Sequence, residues 1–478
     1  TEALAEVSIS YTGDILNPER KKYNLQYYLD LARKIEDMGA HILCIKDMAG
    51  LLHPFAAETL VRELRKAINI PIHFHTHDTA SVQSASYLKA VDAGVDIIDV
   101  ALSSMSGLTS QPNFNAVVAM LRGHERSQEF DLESLNAFSN YWDVIREYYY
   151  PFESGLKAGT AEVYEHEIPG GQYSNLGPQA RGLGLADQFD EIKKNYRDVN
   201  DLLGDVVKVT PSSKVVGDLA MYMTSNELTK EDLIERADEL SFPESLKSFF
   251  KGELGQPHGG FPEALQAAVL KGEESFTCRP NEMMDPLDLD AEFASFQEEF
   301  GEERSYLDFL SYKLYPKVFQ DYHEFCAKYG DVSKVPTQSF FFGLKIDEEV
   351  MVEIDQGKTL IIHLLHVSEP NEDGIRSVVF RLNGATRSIE VQDASIQSSK
   401  VVNRKADASN QVGSPLQGKI AEVLVAAKQE VGQGDALFVI EAMKMETTVT
   451  APYAGTVDRI VLQKGAMVEQ DDLVIEFA

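Results

Sequence analysis

Asp37-Met38-Gly39-Ala40-His41-Ile42-Leu43 and Asp92-Ala93-Gly94-Val95-Asp96-Ile97-Ile98 describe one turn twice: a helix end, a glycine stop and an apolar run that starts a strand. Outward from the first copy, Leu25, Tyr28, Leu29, Ala32, Ile35 and Met38 recur at helical spacing, and Ile42-Leu43-Cys44-Ile45 reads as a buried strand. The unit then repeats. Val61, Leu64 and Ile68 predict a helix before a strand at 72–75, and Val82 and Ala85 predict another before Ile97-Ile98-Asp99-Val100. Strands every ~25–30 residues with helices between them predict a parallel sheet, open or closed into a barrel. About four units are visible where closure takes eight, so a partial TIM-type (β/α) barrel is expected, its first portion lying before Thr1. The chain opens without Met and enters the strand-like run Val7-Ser8-Ile9-Ser10-Tyr11-Thr12 almost at once, as a piece of something longer would.

With 478 residues the chain exceeds one ordinary core, and roughly three domains are expected. The 76 acids against 44 bases leave a net charge of −32, which repels phosphate backbones and anionic lipid alike. No nucleic-acid or membrane partner is expected. A small anionic substrate would need a locally positive or metal-containing pocket against that field. Cys44, Cys278 and Cys326 are too few and too scattered for a disulfide framework, which points to a reducing compartment: cytoplasmic, or the mitochondrial matrix in a eukaryote. No apolar run approaches the ~18 residues of a membrane span.

Residues 113–285 read as a mostly helical cap on the barrel portion 1–112, interrupted by the loop Ile168-Pro169-Gly170-Gly171-Gln172-Tyr173. The region 286–393 begins helical and turns β-rich from Phe340, where Val350, Val352 and Ile354, then Leu360, Ile362 and Leu364, alternate with period two. A small β barrel or sandwich is expected there. Residues 394–410 have few apolar anchors and read as a linker; if flexible it spans ~20–25 Å, or ~55–60 Å stretched, enough to swing a domain.

The last domain, 411–478, is internally duplicated. Pro415 and Pro452, Gly418 and Gly455, Val431 and Val468, Gln433 and Gln470, and Asp435 and Asp472 are each offset by 37 positions. Two similar β halves predict a pseudo-two-fold sandwich with an exposed hairpin where they join. At that join stands Glu441-Ala442-Met443-Lys444-Met445-Glu446, whose lysine is held away from the core and accessible to a modifying enzyme.

In the first domain His75-Thr76-His77-Asp78 ends a predicted parallel strand, and residues two apart on a strand share a side, so both imidazoles can reach one cation. By itself the pattern equally describes two structural histidines; His73, on the same face, reads as packing. One strand earlier Lys46 ends its strand, where barrels of this type hold their chemistry. It is an ion-pair partner or, if burial lowers its pKa, an amine that reacts with CO2 to give an anionic carbamate with oxygen donors for a metal.

Ala442-Met443-Lys444-Met445 is similar to the biotinylation motif of biotin-dependent carboxylases. Tyr11-Thr12-Gly13-Asp14, Lys46-Asp47-Met48-Ala49-Gly50, His75-Thr76-His77-Asp78 and Pro169-Gly170-Gly171-Gln172 together resemble the carboxyltransferase domain of the pyruvate carboxylase family. The resemblance implies biotin on Lys444 and a divalent metal (Mn, Zn or Mg) held by carbamylated Lys46, His75 and His77. The family's fourth ligand, an aspartate on the first barrel strand, has no counterpart here. Val209-Thr210-Pro211-Ser212-Ser213-Lys214 resembles the segment lining the family's biotin pocket: Thr210 matches its proton-shuttling threonine, and Ser213 and Lys214 match groups near the biotin ring. Read from the residues alone, Thr-Pro-Ser-Ser is a helix cap. The stretch from Phe341-Phe342-Gly343-Leu344 to Arg381-Leu382-Asn383-Gly384 is similar to the family's central domain, which assembles a homotetramer and contributes to acyl-CoA regulation; it also reads simply as a structural β domain.

The resemblance therefore implies carboxyl transfer from carboxybiotin to pyruvate, giving oxaloacetate. Its partners would be a biotin carboxylase domain, upstream or on a separate chain, and a biotin ligase. Two other readings stay open: the catalytic subunit of a sodium-pumping oxaloacetate decarboxylase, and a non-catalytic carrier or assembly subunit.

Overall fold

The structure, a computed structural model, describes residues 3–237, 239–371, 374–393, 403–442 and 445–478. The chain divides into two compact units, one of Thr1–Glu282 with Asn403–Ala478 and one of Met283–Val402.

The first unit opens with three and a half βα repeats: β1 (Glu6–Ser10), α1 (Leu25–Asp37), β2 (Ile42–Asp47), α2 (Pro54–Ala67), β3 (Ile72–Thr76), α3 (Gln83–Ala93) and β4 (Ile97–Ile98). The strands are parallel in the order β1-β2-β3-β4. This is the partial (β/α) barrel. The repeated turn is built as its glycines require: Gly39 and Gly94 lie at φ +88° and +104°, the left-handed region that a side chain disfavours. Tyr28, Leu29, Ala32 and Ile35 of α1 are buried, but Met38 caps the helix and is 78% exposed. Helical spacing could not see that the helix had already ended.

The face of α3 also differs from its expectation. Val82 precedes the helix and is exposed, as is Ala85, while Gln83, Ser86, Tyr87, Ala90 and Val91 are buried. The two polar groups go inside because they have acceptors there: Gln83 Nε2 donates to Gly50 O (2.6 Å) and Ser86 Oγ to Leu52 O (2.7 Å), satisfying the loop that follows β2. Of the expected strand at 97–100 only Ile97 and Ile98 pair with β3.

Helices from Val163 to Leu270 form a second core around Ser212–Ser225, in which every residue from Ser213 to Thr224 except Lys214 is buried. The expected loop at 168–173 is instead the start of a helix, Gly170–Gly182, with Pro169 as its N-cap. The carrier domain is two four-stranded sheets whose halves match at the duplicated positions. Gly432 N donates to Asp435 Oδ2 (2.7 Å), and Glu469 N to Asp472 Oδ2 (2.8 Å), closing the same turn in each half. Residues 403–410, expected as linker, lie along this domain: Leu473 N donates to Arg404 O (2.7 Å), Ala406 N to Asp471 O (2.8 Å) and Asn403 Nδ2 to Asp472 Oδ2 (2.7 Å). Backbone bonds together with the Asn403 and Lys405 side chains hold them, so low hydrophobicity is a poor sign of freedom. The rest of the expected linker, 394–402, lies outside the described residues.

In the second unit the helices Leu289–Phe300, Tyr306–Leu314 and Pro316–Tyr329 pack around Phe296, Phe309 and Phe319. A four-stranded antiparallel meander follows, in sequence order from Glu349–Asp355 to Ala385–Gln392. It is one open sheet, in place of the expected barrel or sandwich, and Phe340 to Phe342 end a helix, Thr337–Phe342. Alternation signals a strand with one covered face; it cannot say whether a second sheet does the covering. Among the described residues no helix is long and apolar enough to cross a membrane.

Candidate functional site

Parallel register sets Lys46 of β2 directly beside His75 of β3, at the C-terminal end of the sheet. His75 Nδ1 lies 2.6 Å from Asp99 Oδ2, and His77 Nδ1 lies 2.6 Å from Thr109 O. Both partners accept only, so the tautomer with hydrogen on each Nδ1 fits, and it turns a bare Nε2 lone pair of each ring outward. Those two Nε2 atoms are 3.4 Å apart, with the rings at 84°. Two lone pairs facing each other at that distance favour an electrophile between them, and imidazoles oriented by a carboxylate and a carbonyl are the usual support of a bound metal. The residues present therefore fit a divalent cation. His77 is held below the ordinary histidine pKa, chiefly by burial and also by the charge of Lys46, which keeps its lone pair available.

Gly170 lets this arrangement close. Its N–H donates to Met48 O (2.7 Å), and a Cβ built on it would stand 2.8 Å from His77 Nδ1. Beneath, Asp47 is fully buried and accepts from Leu51 N (2.8 Å), Leu52 N (2.9 Å) and Thr76 Oγ1 (2.8 Å), which ties the loop after β2 to β3. Burial pushes its carboxyl pKa up, while these hydrogen bonds oppose the shift. His73, read as packing, is an ionic partner instead: Nε2 lies 3.0 Å from Asp99 Oδ1 and Nδ1 3.2 Å from Glu6 Oε1. Its pKa is raised to about 10, chiefly by Asp99 and then by Cys44. The same contacts hold Asp99 well below the usual carboxylate range. Spacing could not reveal Asp99, because it pairs across strands.

Thr210 is exposed, and its hydroxyl has no hydrogen bond among the described residues. It is no helix cap. Ser212 Oγ does the local bonding, donating towards Val207 O and Val209 O (2.6 Å each), and the helix begins after Pro211. The Thr210 segment reaches the barrel through Lys208, whose Nζ lies 3.3 Å from Thr12 Oγ1, just beyond β1. Ser213 is buried in the first turn of the helix. Lys214 turns back to Asp218 (2.6 Å), which also accepts from Ser245 Oγ (2.7 Å). Lys444 lies outside the described residues; the strands on either side of it pair as Glu441↔Glu446 and Ala442↔Met445. That end of the carrier meets the helical region: Leu416, Ala442 and Met445 belong to the helical core, and Thr450 N donates to Ser241 Oγ (3.3 Å).

Three family descriptions match along the chain: HMGL-like at 15–141, Conserved carboxylase domain at 163–363 and Biotin-requiring enzyme at 410–477. In chain order these descriptions are those of a biotin-requiring enzyme with a conserved carboxylase domain. Over its whole length it is 49% identical to pyruvate carboxylase of Bacillus subtilis, covering 42% of that protein, and it is 45% identical over 99% of its length to mitochondrial pyruvate carboxylase of Homo sapiens, covering 41%. It belongs to the pyruvate carboxylase family and corresponds to the C-terminal part. The carboxyl transferase domain of Rhizobium etli pyruvate carboxylase superposes with a TM-score of 0.74 at 48% identity, over 82% of this chain and 66% of that one. The complete enzyme from the same organism gives the same score and covers 39% of that chain. The chain thus spans about two fifths of the length of the curated relatives named here.

Proposed function

We propose that this chain transfers a carboxyl group from biotin on Lys444 to pyruvate, giving oxaloacetate. The observation that carries the proposal is the opposed Nε2 pair of His75 and His77 at the C-terminal end of the sheet, in a chain that ends in a biotin-type domain. The relatives are pyruvate carboxylases, and one matching structure is described as the Rhizobium etli domain with pyruvate and biocytin.

In this reading biotin supplies the activated carboxyl group and a divalent ion (Mn, Zn or Mg) supplies Lewis acidity towards the substrate's carbonyl. His75, His77 and Lys46 as its carbamate hold the ion. Thr210 Oγ takes the proton leaving the substrate methyl group and hands its own to the biotin ring nitrogen, because a hydroxyl both donates and accepts. Ser213 and Lys214 line the biotin ring; for Lys214 this means releasing Asp218. The domains are then a barrel portion (1–112), a helical cap (113–285), a central tetramerisation domain (286–393), a linker (394–410) and the carrier (411–478). The reading requires a biotin ligase, a biotin carboxylase domain upstream or on a separate chain, a homotetramer, and a cytoplasmic or matrix location.

The test uses the intact biotinylated enzyme. Lys444→Arg should lose the biotin mass and all oxaloacetate formation. Thr210→Ala should lose ~10²-fold or more in rate with biotin and metal retained, and Thr210→Ser should keep measurable activity. Biotin persisting on the Lys444 variant, or near wild-type turnover in Thr210→Ala, would end the assignment.

A further inference from the structure

Lys208 is 2% exposed and Glu167 7%, and they form a buried ion pair at 3.0 Å. A buried pair is weak evidence for stability, because desolvation cancels much of its attraction. What such a pair does well is fix geometry. Here it joins the two halves of the proposed site.

Glu167 is the shared acid. Oε2 takes Lys208, and Oε1 takes Arg20 at 2.5 Å; Arg20 in turn stands 3.7 Å from Asp205. The backbone at Glu167 is left-handed, φ +53°, a conformation a glutamate adopts only where its surroundings insist. Two residues on, Pro169 starts the helix whose Gly170 packs against the His77 ring. Two residues beyond Lys208 stands Thr210.

The segment before Thr210 is held along its length. Lys22 Nζ donates to Gly204 O (2.5 Å) and Asp205 O (3.0 Å), and Tyr23 Oη donates to Asp205 O (2.8 Å). Lys208 Nζ donates to Thr12 Oγ1 (3.3 Å) at the end of β1. Tyr11, Met48, Ala49 and Pro169 close around the pair, leaving no room for a water molecule. Thr210 itself has no such tie, and Lys208, two residues before it, is the side chain that anchors its segment to the barrel.

We propose that Lys208 and Glu167 are positioning residues for Thr210: their ion pair sets the hydroxyl relative to the His75–His77 pair. The inference rests on the proton-carrying reading of Thr210. It is independent of local folding at 208, since Lys208→Met leaves Glu167 paired with Arg20 and so strands no buried charge.

The experiment is a double-mutant cycle on the intact biotinylated enzyme with Lys208→Met, Lys208→Arg, Thr210→Ala and the Lys208→Met/Thr210→Ala double variant. Lys208→Met should lower kcat for oxaloacetate formation ~10–100-fold, the cost of misplacing a reacting group by about an ångström. KM for pyruvate, metal content, biotin content and thermal midpoint should stay close to wild type. Lys208→Arg, which keeps the pair, should recover most of the rate. The double variant should be no slower than Thr210→Ala, because a misplaced and an absent hydroxyl are the same loss. Losses that multiply, or a Lys208→Met enzyme within twofold of wild type, would overturn the positioning role while leaving Thr210 in place. Near wild-type rate in Thr210→Ala alone would overturn the reading beneath it, and the proposal with it.

Discussion

His75 and His77 present their Nε2 atoms to each other at 3.4 Å, and the acceptor on each Nδ1 decides that orientation. For His75 the acceptor is Asp99, which no motif includes. Asp99→Ala should free the ring to turn and lower divalent-ion affinity about 10–100-fold, the usual cost of losing a ligand's outer partner. Asp99→Asn, whose amide oxygen still accepts, should lose less. Titration with Mn²⁺ checks both. Equal affinity in wild type and Asp99→Ala would show that the carboxylate does not orient the ligand.

Gly170 offers a steric test of the same pair. A methyl group there meets His77 Nδ1 at 2.8 Å and Cγ at 2.9 Å, with the ring unable to retreat without leaving Thr109 O. Gly170→Ala should therefore reduce bound metal after dialysis. Helix propensity alone would make the substitution stabilising, by less than the ~1 kcal/mol of a helix interior because Gly170 is the first helical residue. Undiminished metal with a raised melting point would mean that the ring yields freely.

His166 should make the cap sensitive to acid. Burial, then the charge of Lys193, lowers its pKa to about 4, and its ring stacks on Tyr173 at 5.2 Å and 8°. The unfolded chain takes up a proton near pH 6.5, before the folded one does, so this histidine costs no stability above that pH. Its penalty grows as pH falls to about 4 and reaches on the order of 3 kcal/mol. His166→Phe keeps the stack and cannot protonate. Its thermal midpoint should fall less than that of wild type between pH 7 and pH 4.5; parallel curves would show that another group carries the acid sensitivity.

Met445 tests the seating of the carrier. It is 2% exposed and packs with the core of the helical region, while the sandwich has its own core around Ile420, Phe438 and Val474. Met445→Ala should loosen the contact by about 2 kcal/mol, at the low end for a buried methionine because one side can relax. Amide exchange should quicken in Glu244–Lys251, the helix beside it, with the carrier's strands still protected. Unchanged exchange in that helix would place the methionine's contribution inside the sandwich alone.

Local periodicity and fixed residue spacing are legible along the chain alone. Glycine after an apolar helical face set the helix-to-strand turns at Gly39 and Gly94, an offset of 37 positions exposed the two carrier halves, and alternation along β3 put His75 on the sheet face of Lys46. These features depend on the backbone's own repeat, which neighbouring residues reveal. Which side chains find their partners from distant segments is settled by the folded arrangement. His73 looked like packing until Glu6 and Asp99 stood beside it, and the polar 403–410 looked like linker until the carrier's loops accepted its hydrogen bonds. Gly170 and Gly171 looked like loop until the His77 ring required a helix without a side chain, and Lys208 was silent until Glu167 met it from 41 residues away. A polar group's role depends on the partner that satisfies it, and that partner is chosen by the fold, at separations no local pattern records.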